Sequence, residues 1–398
     1  MERKPLEHIK VLDFTRVLAG PYCTMMLANM GAEIIKVERP DTGDDSRDFG
    51  PFINGQSAYF ISINRGKKSI AVDLKSKEGI ELIKELVKKV DVVAENFRPG
   101  TMEKLGLGYD VLKEINPGLI YATMSGFGQS GPYSRRPAYD MIVQAMGGIM
   151  SITGHPGGEP VRVGTSIGDI TAGMFGAYGI VTALVDRGIT GKGRMVDVAM
   201  FDGQLAILEN AIARYTSMGE VPKPLGSRHP SIAPFGAFKT KDGYLIMACG
   251  NDSLWETFCN AVGREDLLEK EEFKTNALRT QNADMLKGYI DDILSDKKTA
   301  EWDDYLNKKG VPCSPINTVD KLFSDPQVEA RKMLVEVEQP GAGKLKVAGN
   351  PVKLTGLEEE IPKDPAPSIG EHTEAILSDF LGMNIEEINS LKEKKVVK

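Results

Sequence analysis

The first 150 residues alternate between short apolar runs and amphipathic stretches. Residues 78–90 place Ile80, Ile83, Val87 and Val90 on one stripe of a helix. Alternating strands and helices predict a parallel α/β sheet, whose ligands lie beyond the carboxyl ends of the strands. The strands that the apolar runs predict are 9–14, 33–37, 68–74, 91–95 and 119–124.

The rest of the chain divides into three parts by its pattern. Residues 139–218 are rich in Ala, Gly, Met and Ile and predict buried helices, interrupted by a core strand at 195–200. A cluster of Pro, Gly, Ser and His around 222–234 marks a boundary, and residues 235–325 predict strands followed by polar helices. Beyond residue 326 we predict irregular strands and a short helix near 373–381.

Composition and charge argue against several classes of protein, among them nucleic-acid binders, metalloproteins, and secreted or membrane proteins. The chain has 398 residues and a net charge of −7, which argues against a general nucleic-acid binder. Its four cysteines and four histidines lack metal-binding spacing, so we predict no metal site. The first residues lack the apolar core of a signal peptide, and we see no apolar run near the roughly 20 residues of a membrane span. We therefore expect a cytoplasmic protein without membrane contact.

Residues 161–173 contain two candidate nucleophiles in a turn between a strand and a helix. Ser166 is the centre of a G-x-S-x-G motif, and His229 and His372 follow in the order of serine hydrolases. Asp169 could attack a reactive acyl group and form an anhydride, with glycine amides stabilising the oxyanion. The spacing of the two residues also fits a capping box, and the local pattern favours that structural interpretation for both.

Basic residues follow several of the predicted strands. Together they would gather at the ligand-binding edge of the sheet and suit a phosphate-rich ligand with an adenine ring, although each alone is more simply a surface charge. No G-x-G-x-x-G follows the first predicted strand and no P-loop motif is present, so a common dinucleotide or nucleoside triphosphate site is not supported. These residues are Arg39, Lys75, Arg98, Lys104, Arg135 and Arg136.

A family resemblance rests on ordered sequence blocks that cover nearly the whole chain. They are VLDFTRVLAGP at 11–21, MGAEIIKVE at 30–38, AENFRPG at 94–100, IYA at 120–122, GFGQSGP at 126–132 and GEHT at 370–373. The chain thereby resembles the class III, formyl-CoA transferase-type CoA-transferases. The resemblance implies a Rossmann-like large domain at 1–220, a smaller α+β domain at 221–325, and a segment at 326–398 that returns to the large domain. It also implies an interlocked homodimer.

The resemblance also implies roles for individual residues. The nucleophile of the family falls on Asp169, which would pass through an acyl anhydride and an aspartyl-CoA thioester, and Asp140 matches an acidic residue nearby. Coenzyme A would be a substrate, with no tightly bound cofactor. The expected CoA-binding residues are Val17, Leu18, Arg39, Leu74, Lys75, Asn96, Phe97, Arg98, Lys104, Arg136 and Tyr139.

Two departures bear on the substrate that the resemblance implies. Formyl-CoA:oxalate enzymes carry glutamine in place of Leu18 and a glycine-rich flap in place of residues 250–255. Other blocks are more similar to acetyl-CoA:oxalate transferases, and succinyl-CoA-dependent dicarboxylate transferases share part of them. We therefore expect acetyl-CoA or succinyl-CoA as donor and a small carboxylic acid as acceptor, with oxalate favoured. The candidate substrate-binding residues are Arg47, Arg228, Gly250 and Asn251.

Three alternatives stay open from the sequence. One is a serine hydrolase that uses Ser166, and another is a non-catalytic CoA-binding protein. A third is an α-methylacyl-CoA racemase, but its histidine base would occupy the position of Tyr139. A phenol with a pKa near ~10 is a poor base at neutral pH, which disfavours the racemase.

Overall fold

The computed structural model describes residues 4–357 and 361–398. Contacts divide the chain into two compact units. The first comprises the residues up to Ile149, Arg162–Ala213 and Pro326–Lys398, and the second comprises Met150–Val161 and Arg214–Asp325. The large domain expected at 1–220 includes residues 150–161 and 214–220, which the contacts group with the second unit.

A six-stranded sheet forms the centre of the first unit, and all of its neighbouring strands are parallel. The strands of this unit are β1 Lys10–Asp13, β2 Glu33–Glu38, β3 Phe52–Ile53, β4 Gln56–Ser57, β5 Lys68–Ala71, β6 Val92–Glu95, β7 Ile120–Ser125 and β8 Met195–Ala199. The sheet order is β5-β2-β1-β6-β7-β8. Counted over these six strands it is 3-2-1-4-5-6, the doubly wound order of Rossmann folds, with its ligand crevice between the first and fourth strands. The predicted parallel α/β sheet is confirmed.

Helices and short 3₁₀ turns connect the strands of the first unit. They are α1 Ala19–Asn29, a 3₁₀ turn at Asp45–Asp48, α2 Ala58–Asn64, α3 Lys77–Val87, α4 Thr101–Lys104, α5 Tyr109–Ile115, α6 Asp140–Met146, α8 Ile167–Thr190 and α9 Met200–Ala206. Two further helices, α7 Ile149–Ile152 and α10 Glu209–Met218, each contain residues of both units. Serine caps begin two of them: the hydroxyl of Ser57 accepts from the N–H of Phe60, and that of Ser76 accepts from the N–H of Gly79. Such caps satisfy amide groups that have no partner inside the helix.

Both faces of the sheet are buried, as expected for a parallel sheet covered by helices. Along β1, Leu12 belongs to one apolar cluster with Ile35 and Ile70, whereas Val11 belongs to another with Ile34. Side chains of a strand point alternately to opposite faces, so the near-continuous apolar runs of the sequence fill two cores at once.

The second unit has a core of its own beneath an antiparallel sheet in the order β11-β10-β9. Trp255, Phe258 and Trp302 are among its buried side chains. Its strands are β9 Phe235–Lys239, β10 Tyr244–Ala248 and β11 Cys313–Pro315. Its helices are α11 Asp252–Ala261, 3₁₀ turns at Glu265–Leu267, Glu271–Phe273 and Val319–Ser324, α12 Asn276–Gln281, α13 Ala283–Leu294 and α14 Thr299–Lys308.

Helix α8 packs closely on α1 because small residues line its inner face. A Cβ at Gly173 would lie 2.7 Å from the carbonyl oxygen of Ala19. The outer face was expected to be buried, and this prediction is wrong. Tyr178 is 71% exposed, Val185 63% and Ile189 83%, so α8 presents a stripe of apolar side chains to solvent.

The length and composition of α8 bear on the expectation that no apolar run approaches the length of a membrane span. Its 24 residues are long and apolar enough to cross a membrane by those two criteria alone. Core helices of soluble proteins pass the same test, and 44% of the apolar window is buried within the protein. Length and composition therefore do not assign α8 to a membrane.

The segment after residue 325 returns to the first unit. It contains α15 Pro326–Ala330, the hairpin β12 Leu334–Gln339 and β13 Gly343–Ala348, then α16 Thr373–Leu381 and α17 Ile385–Glu393. The predicted helix at 373–381 is confirmed, and α17 was not predicted. Beyond α17 the chain extends beside β5, where Val397 pairs with Val72 and the N–H of Lys398 donates to the carbonyl of Ala71.

Candidate active site

Asp169 lies in the first turn of α8, beside the carboxylate of Asp140 at the start of α6. One oxygen of Asp140 accepts from the N–H of Gly168 at 2.8 Å, and the other accepts from the amide of Gln144 at 2.7 Å. The carbonyl oxygen of the Gln144 side chain in turn accepts from the N–H of Val163 at 2.9 Å. These bonds hold the turn before Asp169 against α6.

Glycine is required immediately before Asp169. A Cβ at residue 168 would lie 2.7 Å from a methyl carbon of Val143 and 3.0 Å from an oxygen of Asp140. Even a methyl group there would push α8 away from α6, so Gly168 permits the close approach of the two carboxylates.

The carboxyl group of Asp169 is unusually basic for an aspartate. Burial, with a further contribution from the charge of Asp140, raises its pKa from 3.8 to about 7. The first turn of a helix favours a negative charge, but the cost of desolvation outweighs that effect here. A carboxylate with such a pKa is a stronger nucleophile than an ordinary aspartate and is still substantially ionised at neutral pH.

Tyr59 on α2 is a neighbour of this carboxylate pair that sequence reasoning missed. Burial raises the pKa of its phenol to about 12, and the charges of Asp169, Asp44 and Asp140 add to the shift. The phenol therefore stays neutral and keeps its proton as a hydrogen-bond donor. No local motif marks Tyr59, because its place beside Asp169 depends on the packing of the first unit.

Ser166 occupies the N-cap position of α8, but its hydroxyl makes no capping hydrogen bond. The predicted capping box with Asp169 is therefore wrong. The downstream histidines also have other partners: the Nδ1 of His372 accepts from the N–H of Ser69, and that of His229 accepts from the N–H of Ser231. Among the described residues, no hydrogen bond joins Ser166 to a histidine, so the serine-hydrolase arrangement lacks geometric support.

The loop between β1 and α1 lies at the crevice between β1 and β6. Asn96, directly after β6, accepts from the N–H of Arg16 at 2.9 Å and donates to its carbonyl at 2.8 Å. Val17 has a φ of 67°, which is costly for a β-branched residue, and its N–H donates to Asp44. Two of the predicted CoA-binding residues, Val17 and Asn96, thus shape one backbone loop.

A cavity of about 920 Å³ opens beyond the carboxyl ends of β1, β2, β5 and β6. Four predicted CoA-binding residues line it together: Arg39, Leu74, Lys75 and Phe97. Residues that sequence reasoning did not assign also line it, namely Arg16, Lys36, Thr101, Lys392, Lys395 and Lys398. The last three come from the end of the described chain, where no sequence block of the resemblance reaches.

The remaining predicted CoA-binding residues do not line this cavity. Arg98, Lys104 and Tyr139 are exposed, and the guanidinium of Arg136 lies over the ring of Tyr133. Leu18 is buried at the start of α1.

Buried charges form the floor of the cavity. Lys36 and Asp44 make an ion pair at 2.8 Å with both side chains almost fully buried. Behind them, Glu38 accepts two hydrogen bonds from Arg47, at 2.8 and 2.6 Å. The guanidinium of Arg47 also lies 3.8 Å from the ring centre of Phe60. Arg47, a candidate for substrate binding, is therefore already paired with a carboxylate of the chain.

The other candidate substrate residues lie in the second unit. Arg228 pairs with Asp284 at 3.1 Å near the surface. The side chain of Asn251 accepts from the N–H of Leu254 and caps α11, and Gly250 precedes it with open space around its Cα. Their roles in substrate binding stay predictions.

Comparison with known proteins identifies the family. The family model described as CoA-transferase family III matches residues 6–373. The chain belongs to CoA-transferase family III. A family III CoA-transferase acts on acyl-CoA thioesters and carboxylates, so the cavity and the carboxylate pair belong to an enzyme of this class. Among the described residues no group of three or more His, Cys, Asp or Glu side chains is placed to hold a metal ion.

Relatives of this CoA-transferase differ in the acids that their names record. The acetyl-CoA:oxalate CoA-transferase of Acetobacter aceti is 44% identical over 94% of this chain and 96% of that protein. The succinyl-CoA:glutarate CoA-transferase of Homo sapiens is 40% identical over 99% of this chain and 90% of that protein. A CAIB/BAIF family protein from Brucella suis has the same fold, with a TM-score of 0.84, 39% identity, and coverage of 95% of this chain and 100% of that one.

Proposed function

We propose that this CoA-transferase moves CoA from acetyl-CoA or succinyl-CoA to a small carboxylate, with oxalate favoured, through covalent intermediates on Asp169. The observation that carries the proposal is the partly buried carboxyl group of Asp169 in the first turn of α8, which is held beside Asp140 through the N–H of Gly168 and has a pKa raised to about 7. The catalytic nucleophile is Asp169, and Asp140 positions the turn through the N–H of Gly168.

The reaction proceeds by double displacement. The carboxylate of Asp169 attacks the thioester carbonyl, expels CoA thiolate and forms a mixed anhydride. The thiolate then attacks the aspartyl carbonyl and releases the donor acid, which leaves an aspartyl-CoA thioester. The acceptor carboxylate attacks that thioester and expels the thiolate again. Finally, the thiolate attacks the acceptor carbonyl, which yields the new acyl-CoA and restores Asp169.

The preference for oxalate is supported by the relative from Acetobacter aceti, whose name records oxalate and which is 44% identical to this chain. The alternative is a succinyl-CoA-dependent transferase for a larger dicarboxylate. It is supported by relatives named for glutarate, mesaconate and citramalate, at 40%, 40% and 36% identity.

The working enzyme is proposed to be an interlocked homodimer in the cytoplasm. Support for self-association comes from α8, where Met174, Tyr178, Val181, Val185 and Ile189 share one exposed face at helical spacing. Apolar stripes of this length are characteristic of protein interfaces.

Trapping of the anhydride tests the mechanism. The whole protein is incubated with acetyl-CoA or succinyl-CoA and hydroxylamine, and peptide mass spectrometry locates the product. We expect a hydroxamate on Asp169, and transfer falls at least about 1,000-fold in Asp169→Asn because no anhydride can form. Ser166→Ala, altered three residues away, is the matched control and should keep full transfer. Full transfer by Asp169→Asn would exclude the mechanism.

The substrate pair is tested with a panel of donors and acceptors. Acetyl-CoA and succinyl-CoA are each combined with oxalate, glutarate, mesaconate and citramalate, and the CoA products are identified by mass spectrometry. Oxalyl-CoA should form with the largest kcat/KM. A larger value for glutarate or mesaconate would instead establish the dicarboxylate alternative, and loss of acyl-CoA without any acceptor would indicate a hydrolase.

A further inference from the structure

The cavity of the first unit has a basic end that is built by the last residues of the chain. Lys395 and Lys398 line it together with Lys75, which follows β5. Other lining cations already have partners: Arg16 and Arg39 pair with Asp45. Lys36 pairs with Asp44, and Lys392 pairs with Glu374.

The ammonium groups of Lys75, Lys395 and Lys398 have no ion-pair partner of this kind in the part of the chain that the structure describes. Among the described residues, Lys75, Lys395 and Lys398 form no salt bridge within 4.0 Å of a carboxylate. Asp41 and Asp73 also line the cavity, but among the described residues neither makes an ion pair within 4.0 Å with these ammonium groups, so the three like charges repel each other. Such an arrangement is stabilised when a compact, multiply charged anion binds between them.

The position of the three lysines in the sheet indicates which part of CoA they meet. They lie at the β5 edge, and with neighbouring strands about 4.8 Å apart this edge is roughly 10 Å from β1. Asp169 does not itself line the cavity, but Asp44 does, and the charges of both aspartates act on Tyr59, so Asp169 lies within electrostatic range of the part of the cavity around Asp44. The thioester must reach Asp169, so the opposite, nucleotide end of CoA lies toward β5.

We propose that Lys395 and Lys398, with Lys75, bind the 3′-phosphate of CoA and make the enzyme discriminate CoA from its 3′-dephospho form. This inference rests on the proposed function, because it takes the cavity as the CoA site. The 3′-phosphate is on the ribose, at the end of the molecule farthest from the thiol, and carries up to two charges.

The backbone at Lys395 supports a role for its side chain. Lys395 has a φ of 58° at the end of α17, where glycine is the favoured residue. The N–H of Lys395 donates to the carbonyl of Lys392, and that of Val396 to the carbonyl of Leu391, which is the hydrogen-bond pattern of a Schellman motif. A lysine at this left-handed position costs folding stability relative to glycine, so its retention is consistent with a role for the side chain.

The strand that follows fixes both lysines against the sheet. The N–H of Asp73 donates to the carbonyl of Val396 at 2.8 Å, and the N–H of Lys398 donates to the carbonyl of Ala71 at 3.2 Å. Val396 and Val397 are both 3% exposed and belong to the main core. Buried neighbours between the two lysines therefore limit the movement of their backbone.

Calorimetric binding of CoA and of 3′-dephospho-CoA to the whole protein tests the inference. We expect Lys395→Gly and Lys398→Gln each to weaken binding of CoA roughly tenfold, because each removes a charge-assisted hydrogen bond. Binding of 3′-dephospho-CoA should stay unchanged in both variants. Lys395→Gly also relieves the left-handed backbone, so its melting temperature should not fall, and a loss of affinity cannot then be attributed to unfolding.

Lys394→Gln is the matched control, since this exposed lysine adjoins Lys395 but does not line the cavity. It should bind both nucleotides as the unaltered protein does. Equal losses for CoA and 3′-dephospho-CoA would overturn the inference and assign the lysines to the diphosphate. Equal affinity of the unaltered protein for both compounds would also overturn it. Failure of the unaltered protein to bind either one would instead contradict the proposed function.

Discussion

Asn96 and Arg16 are joined by two hydrogen bonds, in which the side chain of Asn96 pairs with both backbone groups of Arg16. This pairing connects the ends of β1 and β6 across the crevice and holds Val17 at a positive φ. We therefore expect Asn96 to affect CoA binding through the loop as well as through any direct contact.

Replacement of Asn96 by alanine should weaken both the fold and the CoA site. The change leaves an N–H and a carbonyl without partners, which costs about 1–3 kcal/mol of unfolding free energy. Affinity for CoA should fall with it, as measured by calorimetry and thermal melting. In a Val17→Gly background the loop needs less restraint, so Asn96→Ala should lose less affinity there. If Asn96→Ala lost the same affinity for CoA in the unaltered protein and in Val17→Gly, Asn96 would not act on CoA binding through the loop.

The pH dependence of transfer should follow Asp169. Its pKa is raised to about 7 and the nucleophile must be ionised, so kcat/KM should rise as the pH increases from about 6 to 8. Asp140→Asn removes the neighbouring negative charge and should move the midpoint to lower pH. Ser166→Ala should leave the midpoint unchanged. A flat profile over this range would contradict the assignment.

Stability should depend on pH through the same carboxyl group. An unperturbed aspartate, as in the unfolded chain, has a pKa of 3.8, whereas the pKa of Asp169 in the folded protein is about 7. The folded state therefore binds the proton of Asp169 more tightly than the unfolded state does. The stability that this gives is complete below about pH 4 and is lost as the pH rises through 7. Asp169→Asn cannot ionise, so its melting temperature should exceed that of the unaltered protein increasingly from about pH 4 to 7 and by a constant margin above. A constant difference in melting temperature between Asp169→Asn and the unaltered protein across this pH range would rule out the raised pKa.

The buried pair of Lys67 and Asp13 should be essential for the fold. Both side chains are fully buried, 3.2 Å apart, and the ammonium group also donates to Thr24 at 2.8 Å. Lys67→Met leaves the carboxylate without its nearest cation, so we expect a loss of about 3–5 kcal/mol in denaturant unfolding. The double variant with Asp13→Asn should lose less than the sum of the two single changes. An exposed pair, Lys88 and Glu85, provides the comparison and should show little effect.

The apolar stripe of α8 should mediate self-association. Val185→Asp with Ile189→Asp places charges on its exposed face, so sedimentation should show a shift from dimer to monomer. Val111→Asp, an exposed apolar residue on α5, is the matched control. A monomer before any substitution would contradict the dimer, and binding to lipid vesicles that the charges abolish would assign the stripe to a membrane.

The local pattern of apolar and polar residues was sufficient to predict most strands of the six-stranded sheet. Strands such as β2 and β7 are short, mostly buried apolar runs between turns. Their own residues are therefore enough to predict that they form strands. The helix α17 was missed, although Asn384 and Glu387 form a capping box at its start and Ile388 and Leu391 lie on one side of it. The pattern also failed for the exposure of α8, because an apolar helix face has the same composition whether it packs in the core or against another chain.

Residues of the candidate site could be predicted only where the neighbouring residues in the sequence mark them. Asp169 lies in a marked turn, and Arg39 and Lys75 follow strands of a parallel sheet. Tyr59 and Lys395 reach their places only through contacts between segments far apart in the chain. Ser166 shows the converse: its motif is local, but the hydroxyl has neither the cap nor the histidine that the motif predicts.

The end of the chain also completes the sheet. The outer edge of β5 is satisfied by groups more than 300 residues away: Ser69 receives the N–H of His372, and Ala71 donates to the hydroxyl of Thr373 and receives the N–H of Lys398. During synthesis on the ribosome, these partners emerge only after more than 300 further residues have been added. Until then β5 is an open edge strand, able to pair with another nascent chain. Lys398, which lines the basic end of the cavity, thus also helps to close the edge at which the newly made protein is prone to aggregation.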